Sequence, residues 1–197
     1  CYRGCKSLLF FSVLGLLFFS SCRSTQSFTS PLPEEYSIRM SKSSASGYKN
    51  VKRVRKYEFA HRDVPAAFDG CRLGFVSDLH YRSLLKEKGL RDITRLLNDL
   101  RLDALLIGGD LHEGCEYVPD VIAALGAVKT PLGTYAVLGN NDYEACYDDI
   151  LKEMERQGIH LLEHEADTLK RNGGRIVIAG VRNPFNLGQN GQSPTLS

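Results

Sequence analysis

The chain has 197 residues, 43% hydrophobic and 24% charged, which is enough apolar material for one buried core. Its formal net charge of +2 is too near balance to mark a nucleic-acid binder. Six cysteines (Cys1, Cys5, Cys22, Cys71, Cys115, Cys146) stand far apart without a CxxC pair, which argues against a zinc ribbon, a thioredoxin-like site and a dense disulfide scaffold.

Arg3 and Lys6 precede an apolar run over 8–19, followed by Ser20, Ser21 and Cys22. A basic start, an apolar centre and a small-residue site are the parts of a secretory leader. The run of about a dozen residues is shorter than the roughly 20 that cross a bilayer as a helix. Phe19-Ser20-Ser21-Cys22 resembles a bacterial lipobox, in which Cys22 is lipidated at the membrane and becomes the new N-terminus; Phe19 stands where that pattern prefers Leu. Residues 1–22 therefore read as a leader or lipoprotein segment on the extracytoplasmic face of the cell membrane, with a lipid-free leader and a buried helix as alternatives. Residues 23–50 are rich in Ser, Thr and Pro without sustained apolar periodicity, the composition of a flexible tether. Arg39, Lys42, Lys49, Lys52, Arg53, Arg55 and Lys56 follow one another without an acidic residue. A solvated linker entering a charged edge strand explains them better than attraction to anionic headgroups.

The folded part is 51–197. Residues 51–61 alternate loosely, as an edge strand does. Phe68-Asp69-Gly70 turns into an apolar run over 72–77 that ends in Asp78-Leu79-His80. Leu90, Ile93, Leu96, Leu97 and Leu100 recur at helical spacing. The continuous apolar run over 103–107 suits a strand buried on both faces and ends in Gly108-Gly109-Asp110. A helix over 118–128 leads to a strand over 134–138, which ends in Gly139-Asn140-Asn141-Asp142. A third helix over 144–157, a short strand over 159–162 and a core strand over 175–180 follow. Strands alternating with helices predict βαβ units and an α/β sheet.

Asp78, His80, Asp110 and Asn140 each fall just past the carboxyl end of an apolar strand, the edge of an open α/β sheet where ligands bind. Adjacent strands lie about 4.8 Å apart, so such side chains can converge. Oxygen and imidazole donors suit hard or borderline divalent ions such as Mn, Fe or Zn. Gly108, Gly109 and Gly139 permit tight turns beside such an ion.

Asp-x-His, Gly-Gly-Asp and Gly-Asn-x-Asp, in that order and each at a strand end, resemble the calcineurin-like metallophosphoesterases, in particular their bacterial membrane-associated branch. The resemblance covers about 51–181. It implies a metallophosphoesterase-like α/β sandwich with two divalent metal ions: Asp78 and His80 on the first, Asp110 bridging, Asn140 on the second. It further implies hydrolysis of a phosphoester by metal-activated hydroxide, of the phosphodiesterase or lipid-linked pyrophosphatase type. No nucleic acid is expected as partner; the N-terminal segment would meet the membrane surface.

Two features depart from the family pattern. Asn141 stands where many relatives carry a leaving-group His, and Asn cannot deliver a proton near neutral pH. Asp142 would position that His, so both are candidate catalytic residues with altered roles. Nothing after Val181 matches the family's later histidines, so the chain reads as incomplete at its C-terminus, and a membrane-tethered, inactive binding module with the same fold is the alternative. His112 reads as an exposed loop residue, with a place at the edge of the site as the alternative, and His160 and His164 as surface or edge residues. Cys115 and Cys146 each follow a motif by a few residues and are either a disulfide or packing residues. Gly188-Gln189-Asn190-Gly191 reads as a polar loop, since no phosphate-loop Lys follows.

Overall fold

The computed structural model describes residues 7–14, 36–43, 45, 47–143 and 146–182. In chain order they form β1 (Ser7–Leu14), β2 (Tyr36–Ser43), β3 (Val54–His61), β4 (Cys71–Ser77), α1 (Glu87–Asp99) and β5 (Ala104–Ile107). There follow α2 (Val118–Gly126), β6 (Thr134–Ala136), α3 (Tyr147–Gln157), β7 (Ile159–Leu161), β8 (Glu165–Arg171) and β9 (Gly174–Gly180). Seven strands make one sheet in the order β2-β3-β1-β4-β5-β6-β7. From β1 to β7 the neighbours run parallel, and β3 is antiparallel to both β1 and β2. Strands β8 and β9 form a separate antiparallel pair.

Both faces of the parallel strands are covered, which explains their near-continuous apolar character. Val76, Leu105, Ile107 and Ala136 face a core completed by Leu90, Ile93, Leu96 and Leu97 of α1, Val121, Ile122 and Leu125 of α2, and Ile150 and Met154 of α3. The alternate residues Cys71, Leu73, Ala104 and Tyr135 face a second core with Phe68, Leu162 and Leu169. The α/β class and the layered arrangement expected from the sequence are therefore found, with helices over one face and the β8–β9 pair over the other.

Some elements differ from their expected extents. Residues 36–43, read as tether, run as β2 along the edge of the sheet; Ile38 and Met40 alternate with Arg39 and Ser41, a short period-2 signal set in a Ser-rich stretch. Residues 7–14, read as the centre of a leader, run as β1 between β3 and β4. An apolar run of this length satisfies both patterns, because a strand in a sheet covered on both faces needs no alternation. Helix α3 starts at Tyr147 rather than 144, and a 3₁₀ turn over Asn141–Tyr143 precedes it. Strand β8 was not expected from its mostly polar residues, of which only Leu169 is buried. Residues 1–6, 15–35 (Cys22 among them), 44 and 46 of the leader and tether, and the loop at 188–191, lie outside the described residues.

Candidate metal centre

The ends of β4 and β5 are joined beyond the strands themselves. Asp78 N–H donates to Gly109 O at 2.9 Å, His80 N–H to Asp110 O at 3.0 Å and Tyr81 N–H to Leu111 O at 3.0 Å. The two loops thus leave the sheet side by side, as a ladder continued out of regular strand geometry. Asp78, His80 and Asp110 all hold positive φ, at 54°, 41° and 55°. Asp, Asn and His tolerate that region better than other side chains, and such conformations gather where surrounding structure fixes a functional loop.

The consequence is convergence. One ligand atom each from Asp78, His80 and Asp110 lies within 4.8 Å of the others. All three residues are partly buried. Ser77 Oγ donates to Asp78 Oδ2, and His80 Nδ1 is 2.5 Å from Glu113 Oε1. The Asp110 carboxyl is held above the usual carboxylate range, first by burial and then by the Asp142 and Asp78 charges, against the Asn141 N–H that favours its ionised form. Two carboxylates and an imidazole so placed suit a divalent cation in donor type and in charge.

The third turn reaches the same point through Asp110. Asn141 N–H donates to Asp110 Oδ1 at 3.1 Å. A Cβ on Gly139 would sit 2.2 Å from that same oxygen, and one on Gly109 would sit 2.0 Å from Gly139 N. No larger residue fits either position at this separation. Asn140 is exposed, and its amide donates to Asn141 Oδ1 at 2.8 Å; in the chain it stands between Gly139 and Asn141, the two residues of this turn that pack against Asp110.

Asp142 is fully buried and accepts three backbone N–H groups: Asp110 at 2.7 Å, Gly139 at 2.8 Å and Leu111 at 3.1 Å. Its carboxylate is the knot between the second and third turns. Cys115 and Cys146 form a disulfide across the same two segments, with their Cα atoms 5.1 Å apart. Beyond the third turn, Tyr143 and Tyr147 both donate to Glu163, at 2.5 and 2.6 Å, and Arg182 lies over the two rings.

A family model for calcineurin-like phosphoesterases matches residues 71–190, which is more than half of the chain and includes all three turns. The chain belongs to the calcineurin-like phosphoesterase family. Similar family members include an uncharacterized metallophosphoesterase of Aquifex aeolicus, 28% identical over 66% of this chain and 48% of that protein. One of Helicobacter pylori is 32% identical over 56% of this chain and 29% of that protein. A transmembrane protein with metallophosphoesterase domain of Danio rerio is 26% identical over 66% of this chain and 31% of that protein. The chain thus spans about a third to a half of the length of the curated relatives it matches. No solved structure gave a significant match.

In this chain the sequence reading missed Glu113 and misplaced His112. Glu113 went unnoticed, because nothing in a linear pattern pairs it with His80, 33 positions earlier. Asp142, a candidate catalytic residue whose role beside Asn141 was left open, gives its carboxylate to backbone groups of two loops. His112, read as exposed, is only 4% exposed. Its Nδ1 accepts from Gly114 N–H at 3.1 Å while its Nε2 lies 3.8 Å from Asp142 Oδ1. The Tyr81–His112 bridge between the extended loops carries it into the interior. His160 is exposed against the Tyr135 ring, in keeping with a surface role.

Proposed function

We propose that this chain is the N-terminal part of a metal-dependent phosphoester hydrolase with a dinuclear site, of the phosphodiesterase or lipid-linked pyrophosphatase type. The observation that carries this reading is the meeting of Asp78, His80 and Asp110 at the ends of two adjacent strands, with donor atoms within 4.8 Å. Asp78 and His80 would hold one ion, Asp110 would bridge, and Asn140 would hold the second. Divalent ions in such a site supply Lewis acidity and a water nucleophile active near neutral pH. The residues themselves supply geometry. The joined loops fix the spacing of the donors, and the Asn141 N–H orients the Asp110 carboxylate. Asn141 has no proton to give near neutral pH, so the reading favours esters whose leaving group departs without protonation.

Membrane association at the extracytoplasmic face is part of the proposal. The Cys115–Cys146 disulfide supports an oxidising compartment, and an anchor would concentrate a lipid-linked substrate. No helix among the described residues is long and apolar enough to cross a membrane, so the address would lie in the N-terminal segment. Strand β1 and removal of the chain ahead of Cys22 exclude each other in one molecule, and the intact mass of the mature protein distinguishes them.

The test is turnover of a generic aryl phosphodiester by the full-length protein with Mn²⁺ added, beside Asp110→Asn. Loss of turnover in the variant is expected. Equal turnover in both overturns the two-metal reading, and Mn²⁺ binding without any turnover favours the inactive binding module.

A further inference from the structure

Glu113 lies outside the metal triad and on no motif, yet it makes the shortest contact to a triad side chain whose partner comes from another loop. Its position is set by main chain. Tyr81 and His112 bridge in parallel, and Glu113 N–H donates to Tyr81 O at 3.2 Å. That extra rung places Glu113 directly beside His80, and its Oε1 comes within 2.5 Å of His80 Nδ1. The pair sits at the mouth of the site, with the His80 side chain 21% and the Glu113 side chain 38% exposed.

An imidazole has two nitrogens and can offer only one lone pair to a cation while neutral. A carboxylate at Nδ1 accepts the Nδ1–H, which leaves the lone pair on Nε2 and stops the ring from flipping. Histidines that bind metals depend on such a partner on the far nitrogen for tautomer and orientation. His80 also holds a positive φ of 41°, so its ring leaves the loop from an uncommon backbone geometry, and Glu113 is the partner its Nδ1 meets there.

We propose that Glu113 is a positioning residue for the metal centre: it holds His80 in the Nδ1–H tautomer and aims Nε2 at the cation. This rests on the reading of the triad as a metal site. It adds a residue, one position beyond His112 in the ladder from Tyr81, that the ligand motifs do not contain.

Two measurements on the full chain test it, and they fail separately. The first is Mn²⁺ affinity by calorimetry for the wild type, Glu113→Ala and Glu113→Gln, with thermal unfolding of each metal-free protein. Glu113→Ala is expected to weaken Mn²⁺ binding by about 10–100-fold with unchanged metal-free stability, and Glu113→Gln, which keeps a neutral acceptor, to recover part of it. The second is the ¹⁵N signature of His80 in the metal-free protein at alkaline pH, where histidine is neutral. The wild type should show Nδ1–H, and Glu113→Ala should revert toward the Nε2–H form common in free histidine. Equal Mn²⁺ affinity in wild type and Glu113→Ala overturns the role of Glu113 while leaving the metal site standing. If the wild type itself binds no Mn²⁺, the metal reading fails, and the tautomer still decides the Glu113–His80 coupling. A weakened affinity with an unchanged tautomer also overturns the proposal, because it marks Glu113 as a direct ligand.

Discussion

Between the first and second turns of the site the joining is carried by main chain, with the His80–Glu113 contact added to it, whereas between the second and third it is carried by side chains. Asp78, His80 and Tyr81 donate backbone N–H groups to Gly109, Asp110 and Leu111, and no side chain is needed for any of these bonds. The second and third turns meet through the Asp142 carboxylate, the Asp110 carboxylate and the Cys115–Cys146 disulfide. A main-chain joint tolerates any substitution that keeps its φ, while a side-chain joint is one residue deep. The donors of the first proposed metal therefore rest on the robust joint. The link to Asn140 rests on the fragile one.

The largest test of that contrast is Asp142→Ala. It strands three backbone N–H groups around a fully buried position, and a buried unsatisfied donor costs about 1–3 kcal/mol. Allowing for partial relaxation, urea unfolding should show a loss of about 4 kcal/mol. A loss below about 1 kcal/mol would mean that water or other groups satisfy those donors and that Asp142 is no knot.

Opening the disulfide should have an intermediate effect. The bridge closes a sequence separation of 31, and a loop of that size contributes about 2–4 kcal/mol. Dithiothreitol should lower the melting temperature of the wild type and leave the Cys115→Ser/Cys146→Ser double variant where it is. Amide exchange at His80 and Tyr81 should stay slow in both, since the main-chain joint does not involve the bridge. Fast exchange there on reduction would erase the contrast between the two joints.

Asp110→Asn should change stability least. Because burial raises the Asp110 carboxyl above its ordinary value, the folded state disfavours its ionised form. Its stabilising contribution is therefore complete below the ordinary carboxylate pKa and is lost as pH rises through the raised value. At neutral pH the ionised group weighs against folding of the metal-free protein. Asn keeps the oxygen that accepts the Asn141 N–H but removes the charge. The metal-free variant should melt at the same temperature or a few degrees higher, with a flatter acid-side profile, and gain nothing from Mn²⁺. A clearly lower melting temperature at neutral pH would show that the charge supports the fold instead.

Much of this molecule was legible along the chain. Apolar runs over 72–77, 103–107 and 134–138 read as strands, that over 103–107 as one buried on both faces, and the helix between the first two shows its stripe at Leu90, Ile93, Leu96 and Leu97. Motif residues at the ends of those runs follow from the same pattern, because a parallel sheet places consecutive strand ends on one edge. Asn172-Gly173, with φ of 45° and 81°, carries a further signal that the reading passed over, a dipeptide suited to the two successive positive φ values of the β8–β9 hairpin. That signal is local and was available. Tertiary structure alone decided the rest. Whether Ser7–Leu14 is a strand depends on β3 and β4 lying on either side of it, and its apolar composition is common to strand and leader. The partners of Asp142 are backbone groups, which carry no letter in the sequence. Glu113 meets His80, and Cys115 meets Cys146, only because two loops leave the sheet in register. Sequence pattern specifies what each segment buries; which polar groups then face one another is a property of the packed whole.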